Sequence, residues 1–330
     1  MQQEHPFATY VRVLGKGKKG SRALTREEAR DAMGMILDRQ VLPEQLGAFL
    51  MLLRVKEETP EELQGFVEAV RARLQPPRGL SADLDWSAYA GKKRRLPWFF
   101  LSALVLAGRG VRVFMHGARG HTPGRIYIED VLPLFGLKSA HHWAEVETSL
   151  SLHGLAFYSI DRMVPVLGEL IALRPILGLR SPVHTLCRLL NPLEAPCRLD
   201  GVFHPPYAPM HQETARRLGT PFSLTVRGDG GEAEIKPDGD TELHWVTRGV
   251  LFEQCWPRIE PRRLTREETL DPEDLLRLWR GEIRHAYGEG AVIGTLAVAL
   301  QLLSQGAEGT PEFWLKQARR AWDERDCSAY

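Results

Sequence analysis

Eight cationic side chains and no carboxylate lie between Ser87 and Ile128: Lys92, Lys93, Arg94, Arg95, Arg109, Arg112, Arg119 and Arg125. A run of this kind suits a phosphate-bearing ligand, because each phosphate neutralised releases condensed counterions. Within it, Met115-His116-Gly117-Ala118-Arg119 follows a β-branched run and enters a glycine-containing loop, where backbone N–H groups and an arginine can meet a phosphate. Lys16, Lys18 and Lys19, set among glycines with Arg22 nearby, form a second basic knot. Tyr89 stands beside Lys92–Arg95 as the candidate to stack on a base, the mixture that single-strand binders use. Plainer alternatives exist for each. Lys92–Arg95 reads equally as a solvated loop, His116 as a histidine satisfied inside its loop, and the N-terminal lysines as a surface turn. Trp98, Phe99 and Phe100 lead into Leu101, Leu104 and Val105, so core packing accounts for at least two of the three.

The elements that must position these groups fall into two kinds. Thr25 with Glu28, and Thr59 with Pro60 and Glu62, have the spacing of capping boxes and predict helix starts. Apolar residues then recur at helical spacing, as in Leu63, Phe66, Val67, Val70 and Leu74. Gln75-Pro76-Pro77-Arg78-Gly79 breaks the pattern and marks a linker. Beyond it, Val111–Met115, Ala156–Ser159 and Phe222–Val226 predict buried strands between helical stretches. Glu232–Ile235 and Thr241–Val246 predict a hairpin around Lys236-Pro237-Asp238-Gly239-Asp240, and Asp271-Pro272 and Thr310-Pro311 predict two further helix starts. The expected architecture is α/β. A small N-terminal helical domain spans 1–76, with an internal helical segment near 161–190, and a larger α/β domain with a central mixed sheet spans 80–330.

Composition excludes other classes. With 43 Lys plus Arg against 42 Asp plus Glu, the net charge of +1 makes the distribution of charge, not its sum, the informative quantity. No uninterrupted apolar stretch reaches the roughly 18 residues of a membrane span. The first ten residues lack the basic start and apolar core of a secretory signal, so the expectation is a cytoplasmic protein without membrane partners. Cys187, Cys197, Cys255 and Cys327 form no Cys-x-x-Cys pair, which argues against a disulfide framework and a structural zinc of that type.

Taken in order and spacing, the chain resembles the anthranilate phosphoribosyltransferase superfamily. Leu53-Arg54-Val55-Lys56-Glu57-Glu58 is similar to its Arg-hydrophobic-Lys-Gly-Glu run, His116-Gly117-Ala118-Arg119 to its His-Gly-Asn-Arg loop, and Leu177-Gly178-Leu179-Arg180-Ser181 to its Leu-Gly-Ile-Arg-Thr turn. Asn191-Pro192 matches a family Asn-Pro, and Gly230-Gly231-Glu232-Ala233-Glu234 resembles the stretch ending in the metal-binding Asp-Glu pair. The departures are as informative. Counted back from His116, the family's Gly-Thr-Gly-Gly-Asp diphosphate loop falls on Ser87-Ala88-Tyr89-Ala90-Gly91, and its Asn and Ser fall on Pro97 and Phe99. Side chains replace the glycines that let backbone approach a pyrophosphate. Of the Asp-Glu pair only Glu234 is left, a vestigial metal ligand beside Ala233.

Retained fold with a rewritten site resembles a bacterial side branch of the superfamily that binds nucleic acid without marked sequence preference. Gly15-Lys16-Gly17-Lys18, Gly178–Ser181 leading to His184-Thr185-Leu186, and Val202-Phe203-His204-Pro205-Pro206-Tyr207 carry that resemblance. It implies a homodimer through the helical domain and a cleft continuing into a basic groove that takes single-stranded DNA or RNA. The expected phosphate-binding residues are Lys16, Lys18, Lys19, Tyr89, Lys92, Lys93, Arg94, Arg95, His116, Arg119, Arg125 and Arg180, with no cofactor. The alternative is a glycosyl or phosphoribosyl transferase acting on phosphoribosyl diphosphate, and only that reading calls for Mg²⁺.

Overall fold

The computed structural model describes residues 4–17, 19–265, 269–306 and 308–330. The chain divides into two compact units, one of residues 1–75 and 160–190, the other of 76–159 and 191–330.

The first unit is helical. Its two best-marked helices are Arg26–Leu37 and Pro60–Arg71, and both capping boxes close: Thr25 and Thr59 each accept from the N–H three residues on, while Glu28 and Glu62 accept from the cap N–H groups. Glu62 also accepts from Leu24 N–H at 2.8 Å, so one buried carboxylate starts its own helix and ties down the approach to the other. The two helices cross at Gly65, where an added Cβ would stand 2.3 Å from the carbonyl oxygen of Arg26. Shorter helices Pro165–Ala172 and Val183–Arg188 belong to the same unit, as do Ala8–Gly15 and Pro43–Lys56, with Thr185 donating to buried Glu58 at 2.7 Å. Burial pushes the Glu58 carboxyl up, and the Thr185 hydroxyl offsets part of that.

The second unit is built on an eight-stranded sheet: β1 Leu84–Ala88, β2 Val113–Gly117, β3 Ser139–Ala140, β4 Leu155–Ser159, β5 Cys197–Val202, β6 Phe222–Arg227, β7 Thr241–Thr247 and β8 Val250–Trp256. Their order is β3-β4-β2-β1-β5-β6-β7-β8, parallel through β6 and antiparallel for β7 and β8, which makes the sheet mixed. Helix Phe99–Gly108 lies in the core with Trp98, Phe99 and Phe100 all fully buried, and Trp86 of β1 stacks on Phe99 at 5.8 Å. Helix Ala286–Leu303 is long and apolar enough to cross a membrane, yet it is the central core helix here, mostly buried against Phe99–Gly108, β5 and β6.

The expected hairpin is corrected. Residues 232–235 form no strand, and Ile235 N–H goes to the hydroxyl of Thr295 instead. β7 turns into β8 through Arg248 and Gly249, both at positive φ (49° and 83°), as a two-residue hairpin loop requires. An arginine in that position gives no turn signal in the sequence.

Candidate functional site

The strand order reverses at β1, with β2 on one side and β5 on the other. In open α/β sheets this is where loops leaving neighbouring strand ends diverge and leave room for a ligand. Four segments meet at this edge: the loop 89–95 after β1, 118–125 after β2, 203–206 after β5, and 228–235 after β6. Two glycines allow the last of them to lie close. A Cβ on Gly201 would stand 2.2 Å from the Glu232 carbonyl carbon, and one on Gly228 would stand 1.8 Å from the Glu232 carbonyl oxygen.

The interior of this site is occupied by the chain's own side chains. Ser87 and Ala88 belong to β1, so only Tyr89 onward is loop. Tyr89 is 1% exposed and its hydroxyl meets Nδ1 of His116 at 2.8 Å, while His116 Nε2 faces Asp85 at 3.3 Å. The expectation that Tyr89 stacks on a base is therefore corrected: its ring is part of the core. His116 is likewise fully buried and held between a phenol and a carboxylate.

Lys92 turns inward. Lys92 and Ile126 exchange backbone hydrogen bonds of 2.8 Å, which fixes the loop against 121–127 and aims the Lys92 side chain beneath it. Its Nζ donates to Glu234 Oε1 at 2.8 Å and to the Asp229 carbonyl at 3.1 Å, with the Asp229 carboxylate at 3.7 Å. Lys92 and Glu234 are each about 1% exposed. The other Glu234 oxygen accepts from Phe99 N–H at 2.9 Å, at the start of helix Phe99–Gly108, where the helix dipole favours an anion. Burial pushes the Glu234 carboxyl up, and the Lys92 charge and these donors pull it back.

Two more contacts close the loop. Glu232 accepts from Gly91 N–H at 2.6 Å, so a carboxylate of the chain takes a backbone donor that faces the site. Arg125 donates to the carbonyls of Ala90 and Gly91, both at 2.9 Å, and of Gly230 at 3.3 Å. Arg95 donates to the carbonyls of Thr265 and Leu264 and lies 3.9 Å over the Tyr287 ring. Lys92, Arg95 and His116 are thus corrected along with Tyr89, since their side chains are buried and bonded inside the protein, while Arg125 is half-buried with its Nη1 on these carbonyls.

Three expected residues of this unit do face outward. Lys93 and Arg94 are exposed and have no carboxylate partner among the described residues. Arg119 is 56% exposed, with Glu129 at 3.7 Å. In the helical unit Lys16 and Lys19 are exposed and Arg180 is half-buried, while Lys18 lies outside the described residues. Glu232 was not foreseen. Its only sequence signal is an acid between Gly230-Gly231 and Ala233, which is indistinguishable from a surface acid without the partner 141 residues earlier.

Two family models match the chain: the glycosyl transferase family helical bundle domain over residues 10–74, and the glycosyl transferase family a/b domain over residues 100–264. The anthranilate phosphoribosyltransferase of Methylobacterium radiotolerans is 32% identical over 307 residues, covering 87% of each chain. Among solved structures, that of anthranilate phosphoribosyltransferase from Thermus thermophilus superposes with a TM-score of 0.80 at 21% identity, over 99% of this chain and 96% of its own. The Saccharomyces cerevisiae enzyme in complex with PRPP and Mg gives a TM-score of 0.73 at 19% identity over 97% of both chains. These two structural likenesses establish the fold.

Proposed function

The chain belongs to the glycosyl transferase family that includes the anthranilate phosphoribosyltransferases, and from that premise we propose that it is a member whose diphosphate and metal site has been closed by its own side chains and whose remaining exposed cations bind single-stranded nucleic acid. The observation that carries this reading is the buried Lys92–Glu234 pair. A Mg²⁺ site needs several oxygen ligands in near-octahedral array, usually with substrate phosphates among them. Here the retained carboxylate has one oxygen on an ammonium and the other on a helix N–H, while Ala233 and Phe99 stand where the resemblance puts the second carboxylate and the hydroxyl. The residues present do not fit the ion. The same holds for a diphosphate, since the Gly91 N–H it would use is taken by Glu232.

Lys93, Arg94 and Arg119 form the phosphate-contacting edge in this proposal. They are long and solvated, Arg119 beside Glu129 at 3.7 Å, which suits a salt-sensitive and sequence-tolerant mode of binding. Self-association would place two such edges on one strand and raise avidity without new contacts. The test is fluorescence anisotropy of a labelled single-stranded oligonucleotide at several salt concentrations, with phosphoribosyl diphosphate plus Mg²⁺ as competitor. Salt-sensitive binding that the competitor does not relieve is expected; no binding at low salt would remove the proposal.

A second reading, phosphoribosyl transfer to an unidentified acceptor, is favoured by the 32% identity to an anthranilate phosphoribosyltransferase. It requires saturable, Mg²⁺-dependent heat on titration with phosphoribosyl diphosphate. We expect none.

A further inference from the structure

The β7–β8 hairpin at the edge of the sheet carries a second concentration of chemistry, on a face whose cavity also reaches Phe203, His204 and Asp229 of the Lys92 site. In its register Glu242 lies opposite Cys255, and His244 opposite Glu253. Side chains alternate along a strand, so these four share one face. That face borders an open cavity of about 810 Å³, to which Glu242, Glu253 and Cys255 contribute.

His244 is only 2% exposed. Its Nε2 lies 3.0 Å from Glu242 Oε1, and the other Glu242 oxygen accepts from Arg227 at 2.8 Å. Arg227 and Glu242 form an ion pair, so this carboxylate accepts from the guanidinium on one oxygen and faces the imidazole with the other. An imidazole that donates from Nε2 to a carboxylate has Nδ1 as its ligating atom. That atom is buried without a hydrogen-bond partner, and it faces Glu253 Oε1 at 3.6 Å, too far for a hydrogen bond. Two ligands each about 2.1 Å from a tetrahedral metal stand about 3.4 Å apart. One ligand atom from each of Glu242, His244 and Glu253 falls within 4.8 Å of the others.

We propose that this hairpin face binds one zinc ion, with His244 Nδ1 and Glu253 as protein ligands, Glu242 orienting the imidazole, and water completing the coordination. An imidazole whose far N–H rests on a carboxylate is the usual support for a metal-bound histidine. An imidazole ligand selects a borderline ion over Mg²⁺ or Ca²⁺. The site clips β7 to β8 at the exposed edge of the sheet. Ligands alternating across a hairpin leave no contiguous motif, which is why no spacing in the chain announces it.

The full-length chain, stripped with a chelator and dialysed, is titrated with zinc alone by calorimetry, and its thermal unfolding is followed with and without the ion. One zinc per chain and a rise in Tm are expected. Glu253→Gln, at an exposed position, keeps the fold by circular dichroism and weakens zinc binding by about tenfold or more. His244→Gln abolishes binding, and should that variant fail to fold, Glu253→Gln still decides. No zinc bound by the wild type, or equal affinity in the wild type and Glu253→Gln, overturns the proposal.

Discussion

Lys92 and Arg95 are buried and bonded, while Lys93 and Arg94 between them are exposed and without carboxylate partners among the described residues, although all four belong to one uninterrupted basic run. The inner pair is structural. Lys92 is the counter-ion of Glu234, and Arg95 fastens the loop to the carbonyls of Leu264 and Thr265. The outer pair is free to meet a ligand. Charge in a sequence therefore divides by direction: a lysine aimed inward consumes a carboxylate of the chain, and its neighbour aimed outward stays in solvent, where the proposed function puts a partner's phosphate.

The division can be broken first at Lys92. Lys92→Ala leaves Glu234 buried without its cation, a loss of about 3–5 kcal/mol in denaturant unfolding. If Lys92 were instead a solvated ligand contact, stability would hold and oligonucleotide binding alone would fall.

Asp200 tests the interior by pH. Burial would raise its carboxyl, but Arg198 and His211 more than offset that and hold it below the ordinary range, with Thr225 donating as well. A carboxyl lowered on folding adds stability above its unfolded pKa of about 3.9, and that stability is lost as pH falls through the lower folded value. Tm should drop below roughly pH 4, and Asp200→Asn should flatten that limb while costing roughly 3 kcal/mol at neutral pH. An unchanged acid limb in the variant would count against the assignment.

Tyr89→Phe removes one buried hydrogen bond to His116, and the expected cost is about 1–3 kcal/mol of stability with oligonucleotide affinity unchanged. A stacking tyrosine would behave in the opposite way, losing about 1–3 kcal/mol of binding. At the outer pair, Lys93→Ala with Arg94→Ala should shift unfolding by no more than about 0.5 kcal/mol.

How far the sequence is legible follows the same line. The helix starts at Thr25 and Thr59 were readable because a capping box is local, its partners three residues apart. Of the buried strands, β2, β4 and β6 were readable from β-branched or aromatic runs, whereas β1 and β5 carry no such run, and the family was readable from motifs spread along the chain. The fate of Lys92 was not readable. The stretch from Ser87 to Ile128 has no acid of its own, yet its lysine is neutralised by Glu234, 142 residues away, and Gly91 is met by Glu232 at a similar separation. Local absence of carboxylates says nothing about those that the sheet brings in from another strand end. The β7–β8 hairpin was missed for a different reason, since Arg248 adopts a positive φ that its residue type does not advertise.

The most direct test of the central claim is the salt dependence of single-stranded oligonucleotide binding in the wild type and in the Lys93→Ala, Arg94→Ala double variant. Each phosphate contact contributes about 0.7 to the slope of log K against log salt, so losing two should make the slope shallower by about 1.4 with the fold intact. An identical slope in the two proteins, or no binding by the wild type at low salt, would contradict the account.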